Sequence, residues 1–301
     1  MKRIALSLAC LAFAAPAQAE PDTSETSAAP AAYSCNAGAL QQGGLLLCTG
    51  QPGSVITMDG KPVAEVNEAG RASIGLTRDA PDSVTLVIPS PDGSVSETLS
   101  IAPRKDEYRE ISGLDCDKVD ARTQAQKDHA GRSWVKKVDA FKTFHPGNGL
   151  SGDIVRPAEG VMSSPFGPTR KYIGVSSETG ESCEKTSVHR GYDIATPTGT
   201  PLLAPADGTI ILGDPDLYYE GGTIFLDHGQ GLVSVFMHLS EVDVEPGDVV
   251  KAGDVIGKTG NTGRTTGPHL HWSVKWRNTA IEDRGGDFYI DPALLLEMSE
   301  S

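Results

Sequence analysis

The chain has 301 residues, 38% hydrophobic and 22% charged, which supplies a folded core and excludes a disordered or collagen-like protein. Its 26 basic and 40 acidic residues give a net charge of -14, the wrong balance for a protein that holds nucleic acid through phosphate contacts. The length implies two domains at about 100–200 residues each.

Met1-Lys2-Arg3, the apolar run Ile4 to Pro16 and Ala17-Gln18-Ala19 have the charged, apolar and small-residue parts of a secretory signal peptide, residues 1–19. The apolar run is too short to span a bilayer, which takes about 20 residues, so no membrane insertion is expected after cleavage before Glu20. Export leaves Cys35, Cys48, Cys116 and Cys183, an even number suited to disulfides in an oxidising compartment. Four cysteines allow three pairings and the sequence does not choose among them; Cys35–Cys48 with Cys116–Cys183 is the guess. A four-cysteine zinc site is disfavoured, because the spacings lack close Cys-x-x-Cys pairs.

Residues 20–34, rich in Ala, Ser, Thr and Pro, read as a flexible lead-in. Residues 35–116 contain short β-type runs, among them Leu45 to Leu47, Ser54 to Met58, Lys61 to Val66, Ala72 to Leu76, Ser83 to Ile88 and Val95 to Ile101, separated by turn signals such as Asp59-Gly60. That pattern predicts a small antiparallel sandwich. Residues 117–149 change texture: Trp134, Val138 and Phe141 fall at i, i+4 and i+7, an apolar stripe expected to pack a helical connector on one of the domains. His129 and His145 are expected to be solvated. Residues 150–298 are dense in Gly, Pro and short β runs, with almost no helical periodicity. The fold class expected for the chain is all-β.

Four of the seven histidines lie in this last region at informative spacings. In His269-Leu270-His271-Trp272-Ser273-Val274-Lys275-Trp276, a strand presents His269, His271, Ser273 and Lys275 on one face and the apolar residues on the other. His189 and Asp193, four apart with Gly191 between them, can converge on one point. Two imidazoles and one carboxylate suit Zn²⁺, and three protein ligands leave a fourth position for water, as in hydrolytic sites. His238 ends an alternating run that places it opposite Val233, Val235 and Met237. His228, in a turn, is read as structural, because it has no partner at metal-ligand spacing.

His189-x-Gly191-x-Asp193, His238-Leu239 and Gly267-Pro268-His269-Leu270-His271, in that order, resemble the lysostaphin/LytM-type zinc metallopeptidases. Ser164-Pro165-Phe166-Gly167 and the glycine pattern Gly253 to Gly267 add to the resemblance, which covers roughly residues 150–292. It implies an antiparallel β-sheet saddle for residues 150–298 and one Zn²⁺ per chain held by His189, Asp193 and His271. His269 would be the general base, and His238 would stabilise the oxyanion or assist proton transfer. The implied substrate is the stem-peptide cross-link of bacterial peptidoglycan, cut by zinc-activated water in the periplasm, with secretion as the second choice. A divisome component or a cell-wall amidase is the candidate protein partner. The alternative is a non-hydrolytic LytM-like factor that activates such an amidase; relatives of that kind usually lack a ligand, and none is missing here. Ser273 stands where the family often has Glu and is read as affecting packing or fine specificity. Lys171 to Val188 is read as a groove-wall loop, and Arg170 equally as a contact to substrate carboxylates or a brace for that loop.

Overall fold

Alternating apolar residues and glycine turns build a molecule that is nearly all strand. The structure is a computed structural model, and it describes residues 33–116, 120–150, 152, 154–281 and 287–299. The expected signal segment 1–19 and lead-in 20–34, apart from Tyr33 and Ser34, lie outside the described residues. Among the described residues no helix is long and apolar enough to cross a membrane.

Seven strands make the sandwich: β1 (Ser34–Gly38), β2 (Leu45–Thr49), β3 (Val55–Met58), β4 (Lys61–Glu65), β5 (Arg71–Gly75), β6 (Ser83–Ser90) and β7 (Gly93–Ser100). They form one sheet ordered β1-β2-β5 and another ordered β4-β3-β6-β7. The β3–β4 turn has Asp59 at φ 50° and Gly60 at φ 77°, the left-handed pair that a two-residue hairpin turn requires. Leu45, Ile56, Ile74 and Leu86 fill the interior. Cys35–Cys48 closes within this region.

An eighth strand, β8 (Tyr108–Asp115), leaves the sandwich and pairs in parallel with β10 (Thr169–Val175), which pairs antiparallel with β11 (Ser182–Val188). The segment read as a loop from Lys171 to Val188 is therefore largely a hairpin. Cys116–Cys183 ties the end of β8 to it.

Helix α1 (Gln124–Ala140) begins with a capping box: Thr123 Oγ1 accepts from Gln126 N at 3.2 Å, and Gln126 Oε1 accepts from Thr123 N at 3.0 Å. The expected stripe is only partly realised. Phe141, just past the helix, stacks on Phe225 with ring centroids 4.6 Å apart, but Trp134 is 64% exposed. The helix docks through polar groups instead: Lys136 Nζ to Asp214 at 2.5 Å, Lys137 to Glu220, and Tyr218 N to Ser133 Oγ at 3.0 Å. His129 is not simply solvated either, since its Nε2 lies 2.8 Å from Asp216 O.

The remaining strands are β9 (Val161–Ser164), β12 (Tyr192–Ala195), β13 (Pro201–Leu203), β14 (Gly208–Leu217), β15 (Gly221–Gly229), β16 (Leu232–Leu239), β17 (Glu241–Val242), β18 (Val249–Val250), β19 (Val255–Lys258), β20 (His269–Trp276) and β21 (Phe288–Ile290), followed by helix α2 (Pro292–Ser299). The principal sheet runs β18-β14-β15-β16-β20-β12-β9, with β21 on β20. One face carries Leu270, Trp272 and Val274 from β20 with Phe236 and Ile224, and shares a core with the sandwich. The opposite face carries His271 and, over a second apolar cluster of Phe225, Val233 and Val235, is covered by Ala140 and Phe141. The described residues form one compact unit.

Candidate metal centre

The sheet places the site through register. Asp193 on β12 lies opposite His271 on β20, and Met237 on β16 lies opposite His271 from the other side. Opposed residues in an antiparallel pair share a face, so Asp193 and His271 emerge together. His189 enters from the turn before β12. Gly191 is required by close approach: a Cβ there would sit 2.4 Å from His271 Nε2 and 2.7 Å from Ser273 Oγ.

Three potential ligand atoms converge. His271 Nδ1 is 2.7 Å from Asp193 Oδ1, His189 Nε2 is 3.1 Å from the same oxygen, and the two imidazole nitrogens are 3.2 Å apart. Among the described residues this is the cluster of His, Asp, Glu and Cys able to hold a metal ion. The chemistry of the donors fits a cation. Pro165 O, 2.7 Å from His189 Nδ1, can only accept, so Nδ1 carries a proton and Nε2 faces the carboxylate, the atom that would bind a cation. His271 Nε2 lies 2.8 Å from Ser273 Oγ, which leaves Nδ1 facing inward. Such outer hydrogen bonds fix the orientation of metal-ligating imidazoles.

Asp193 is buried, which raises its carboxyl pKa, but the bonds from His189 and His271 hold it well below the usual carboxylate range. Its second oxygen accepts from Arg170 Nη2 at 3.2 Å, and the same nitrogen donates to Ser164 Oγ at 2.5 Å. Arg170 is thus a brace for Asp193. Ser273 has more than a packing part, because its hydroxyl touches His271.

His269 and His238 complete a ring of four imidazoles. His269 Nε2 is 3.9 Å from Asp193 Oδ1, and its Nδ1–H donates to Gly267 O at 2.8 Å. The His238 ring lies 4.8 Å from that of His269 and 6.0 Å from that of His271. Strict alternation would send His238 to the face away from Met237; instead its φ of 66°, in the left-handed region, breaks the period and keeps it beside His269 and His271. Its Nδ1–H donates to Thr262 O at 2.9 Å. Burial first, then the neighbouring His271 and His269, push its pKa down to about 3. His228 stands apart from the centre, bonded to Asp207 O and Ser234 Oγ.

Fold and site together define a class: a β-saddle protein whose His–Asp–His cluster, able to hold a metal ion, is built on the inner strands β12 and β20 of its main sheet. The profile of peptidase family M23 matches residues 187–283, which span all five site residues. A Pseudomonas aeruginosa crystal structure assigned to peptidase M23 aligns over 85% of this chain and 94% of its own, at 30% identity and a TM-score of 0.56. The chain belongs to peptidase family M23.

Among curated proteins, an uncharacterized metalloprotease of Haemophilus influenzae is 39% identical over 40% of this chain and 24% of its own length. The peptidoglycan DD-endopeptidase ShyA of Vibrio cholerae is 37% identical over 33% of this chain and 23% of its own. The chain thus spans about a quarter of the length of these relatives.

Proposed function

We propose that the chain is an exported, zinc-dependent endopeptidase of the periplasm that hydrolyses amide bonds in the stem-peptide cross-links of peptidoglycan. The observation that carries the reading is the convergence of three potential ligand atoms, His189 Nε2, Asp193 Oδ1 and His271 Nδ1, beside two further imidazoles. Their separations of 2.7–3.2 Å are near the ~3.3 Å edge of a tetrahedron with zinc–nitrogen distances of about 2.0–2.1 Å. His189, Asp193 and His271 would hold the ion. When bound, zinc supplies Lewis acidity that acidifies water at neutral pH and polarises a carbonyl.

The chain's own residues do the rest. With Nδ1–H fixed on Gly267 O, His269 presents the lone pair of Nε2 and takes the proton of the attacking water, a role worth about 10²–10⁴ in rate. His238, with Nδ1–H fixed on Thr262 O, keeps Nε2 as an acceptor beside His269 and assists the proton transfer there. Arg170 holds Asp193 with one oxygen inward. In this reading residues 35–116 position the hydrolytic domain, 150–298, and 117–149 connect the two.

The naming of ShyA and ShyB of Vibrio cholerae as peptidoglycan DD-endopeptidases supports a D,D bond as the target. A non-hydrolytic amidase activator would be favoured by a lost ligand, and the full set is gathered. The test is mass spectrometry of purified sacculi after digestion. The wild type should release fragments of the cross-links, and His269→Ala should keep its metal while losing at least ~100-fold in rate. Intact sacculi after wild-type treatment would refute the activity.

A further inference from the structure

A cavity of about 610 Å³ lies between helix α1 and the principal sheet, lined in part by neighbours of the cluster residues. Val188 and Arg190, which flank His189, line it, as do Met237, the register partner of His271, and Lys275, on the same face of β20 as His271. Four strand residues at about 3.4 Å each put Lys275 roughly 13 Å from His271, the reach of about four extended peptide residues. A peptide whose scissile bond lies at the cluster and which runs along β20 therefore enters this cavity.

The charges in it are unequal in what they offer. Arg78, Lys137, Lys142 and Lys275 line the cavity and each is ion-paired, with Asp106, Glu220, Asp139 and Asp287 respectively. Arg190 is exposed, its guanidinium 6.0 Å from the centre of the Tyr289 ring, and among the described residues it has no acidic partner. A chain of net charge -14 thus presents, at the wall of this cavity and next in sequence to His189, a guanidinium with no acidic partner among the described residues. The planar fork of Arg binds carboxylates through two parallel charge-assisted hydrogen bonds.

We infer that Arg190 and this cavity form a carboxylate-recognising subsite, which takes a peptide bearing a free carboxylate within about four residues of the bond to be cut. The inference rests on the peptide-substrate reading above and adds a chemical requirement to it: the carboxylate must be ionised and unamidated. Trp134, on the cavity wall, is the exposed member of the chain's three tryptophans, Trp272 and Trp276 being buried. Its emission therefore reports occupancy.

The experiment uses the full metal-loaded chain and two synthetic cross-linked peptides, one with free carboxylates and one with the same groups as carboxamides. Binding is followed by calorimetry and by tryptophan emission. The free-carboxylate peptide should bind at least about tenfold more tightly, the scale of one hydrogen bond between charged groups. Arg190→Gln should bring the two peptides to within about twofold of each other, with Tm unchanged as evidence of an intact fold. Trp134→Phe should remove the emission change. Equal binding by the wild type, a preference that survives Arg190→Gln, or an emission change that survives Trp134→Phe would each overturn the subsite. Preferential binding without cleavage keeps the subsite and removes the hydrolytic reading; cleavage without preference does the reverse.

Discussion

Each site imidazole except His271 has Nδ1 committed to a carbonyl, from Pro165, Thr262 or Gly267, and so turns Nε2 inward. His228 uses the same device for structure. Its Nδ1–H donates to Asp207 O at 2.9 Å, Nε2 accepts from Ser234 Oγ at 2.8 Å, and that hydroxyl accepts from Trp272 Nε1 at 3.2 Å. The ring must be neutral to accept, and burial pushes its pKa down from 6.5 to about 4. The folded value lies below the unfolded one, so the associated stability is present above pH 6.5 and is lost as pH falls toward 4. The loss should reach roughly 3 kcal/mol across that window. Denaturant midpoints measured between pH 7 and 4 should fall more steeply for the wild type than for His228→Gln; equal slopes would contradict the buried neutral ring. The clustered residues His189, Asp193, His269 and His271 were readable because they sit in short motifs on or beside regular strands. The position of His238 was not, since a positive φ at a non-glycine residue leaves no mark in a sequence. Ser273 was legible only as a departure from the family, and its bond to His271 needs coordinates to be seen.

At the scale of elements, the segment that follows α1 is anchored by a buried ion pair. Arg277 Nη2 donates to Asp227 Oδ2 at 2.8 Å with both side chains 0% exposed. The other terminal nitrogen donates to Phe141 O at 3.1 Å and Thr143 O at 2.5 Å, and His145 N donates to the same carboxylate oxygen at 3.0 Å. The end of β20 is thereby fastened to the chain leaving α1. Arg277→Ala strands a buried carboxylate, at a cost of about 3–5 kcal/mol, to be read from the midpoint of urea unfolding. A loss below ~1 kcal/mol would show that the pair is not what holds the connector. Sequence periodicity located α1 but misjudged how it docks, because ion pairs to Asp214 and Glu220 carry no periodic signal and Trp134 could remain outside. β8 was missed for a related reason. Tyr108–Asp115 alternates poorly, and its parallel partner β10 lies beyond the connector, so no nearby hairpin turn announces the pairing.

For the molecule as a whole, the Cys116–Cys183 bond spans a separation of 67 residues and joins the end of β8 to the hairpin near the site. In the chain-entropy account a loop of that size adds about 4 kcal/mol. The double variant Cys116→Ser/Cys183→Ser should lose stability on that scale in chemical denaturation, and an unchanged midpoint would remove the bond from the account. Residue patterning identified both β regions; it left three cysteine pairings open, and the guessed pair of bonds is the one the structure contains. The shared core between sandwich and saddle was not foreseen, since burial of Trp276 against Ser73, 203 residues away, leaves no local trace. The whole account depends on one ion per molecule at His189, Asp193 and His271, and elemental analysis of the purified chain tests this most directly. Wild-type protein and His269→Ala should each carry one equivalent of zinc, and Asp193→Ala close to none. Wild-type protein that is free of metal yet active on sacculi, or Asp193→Ala with a full equivalent, would contradict it.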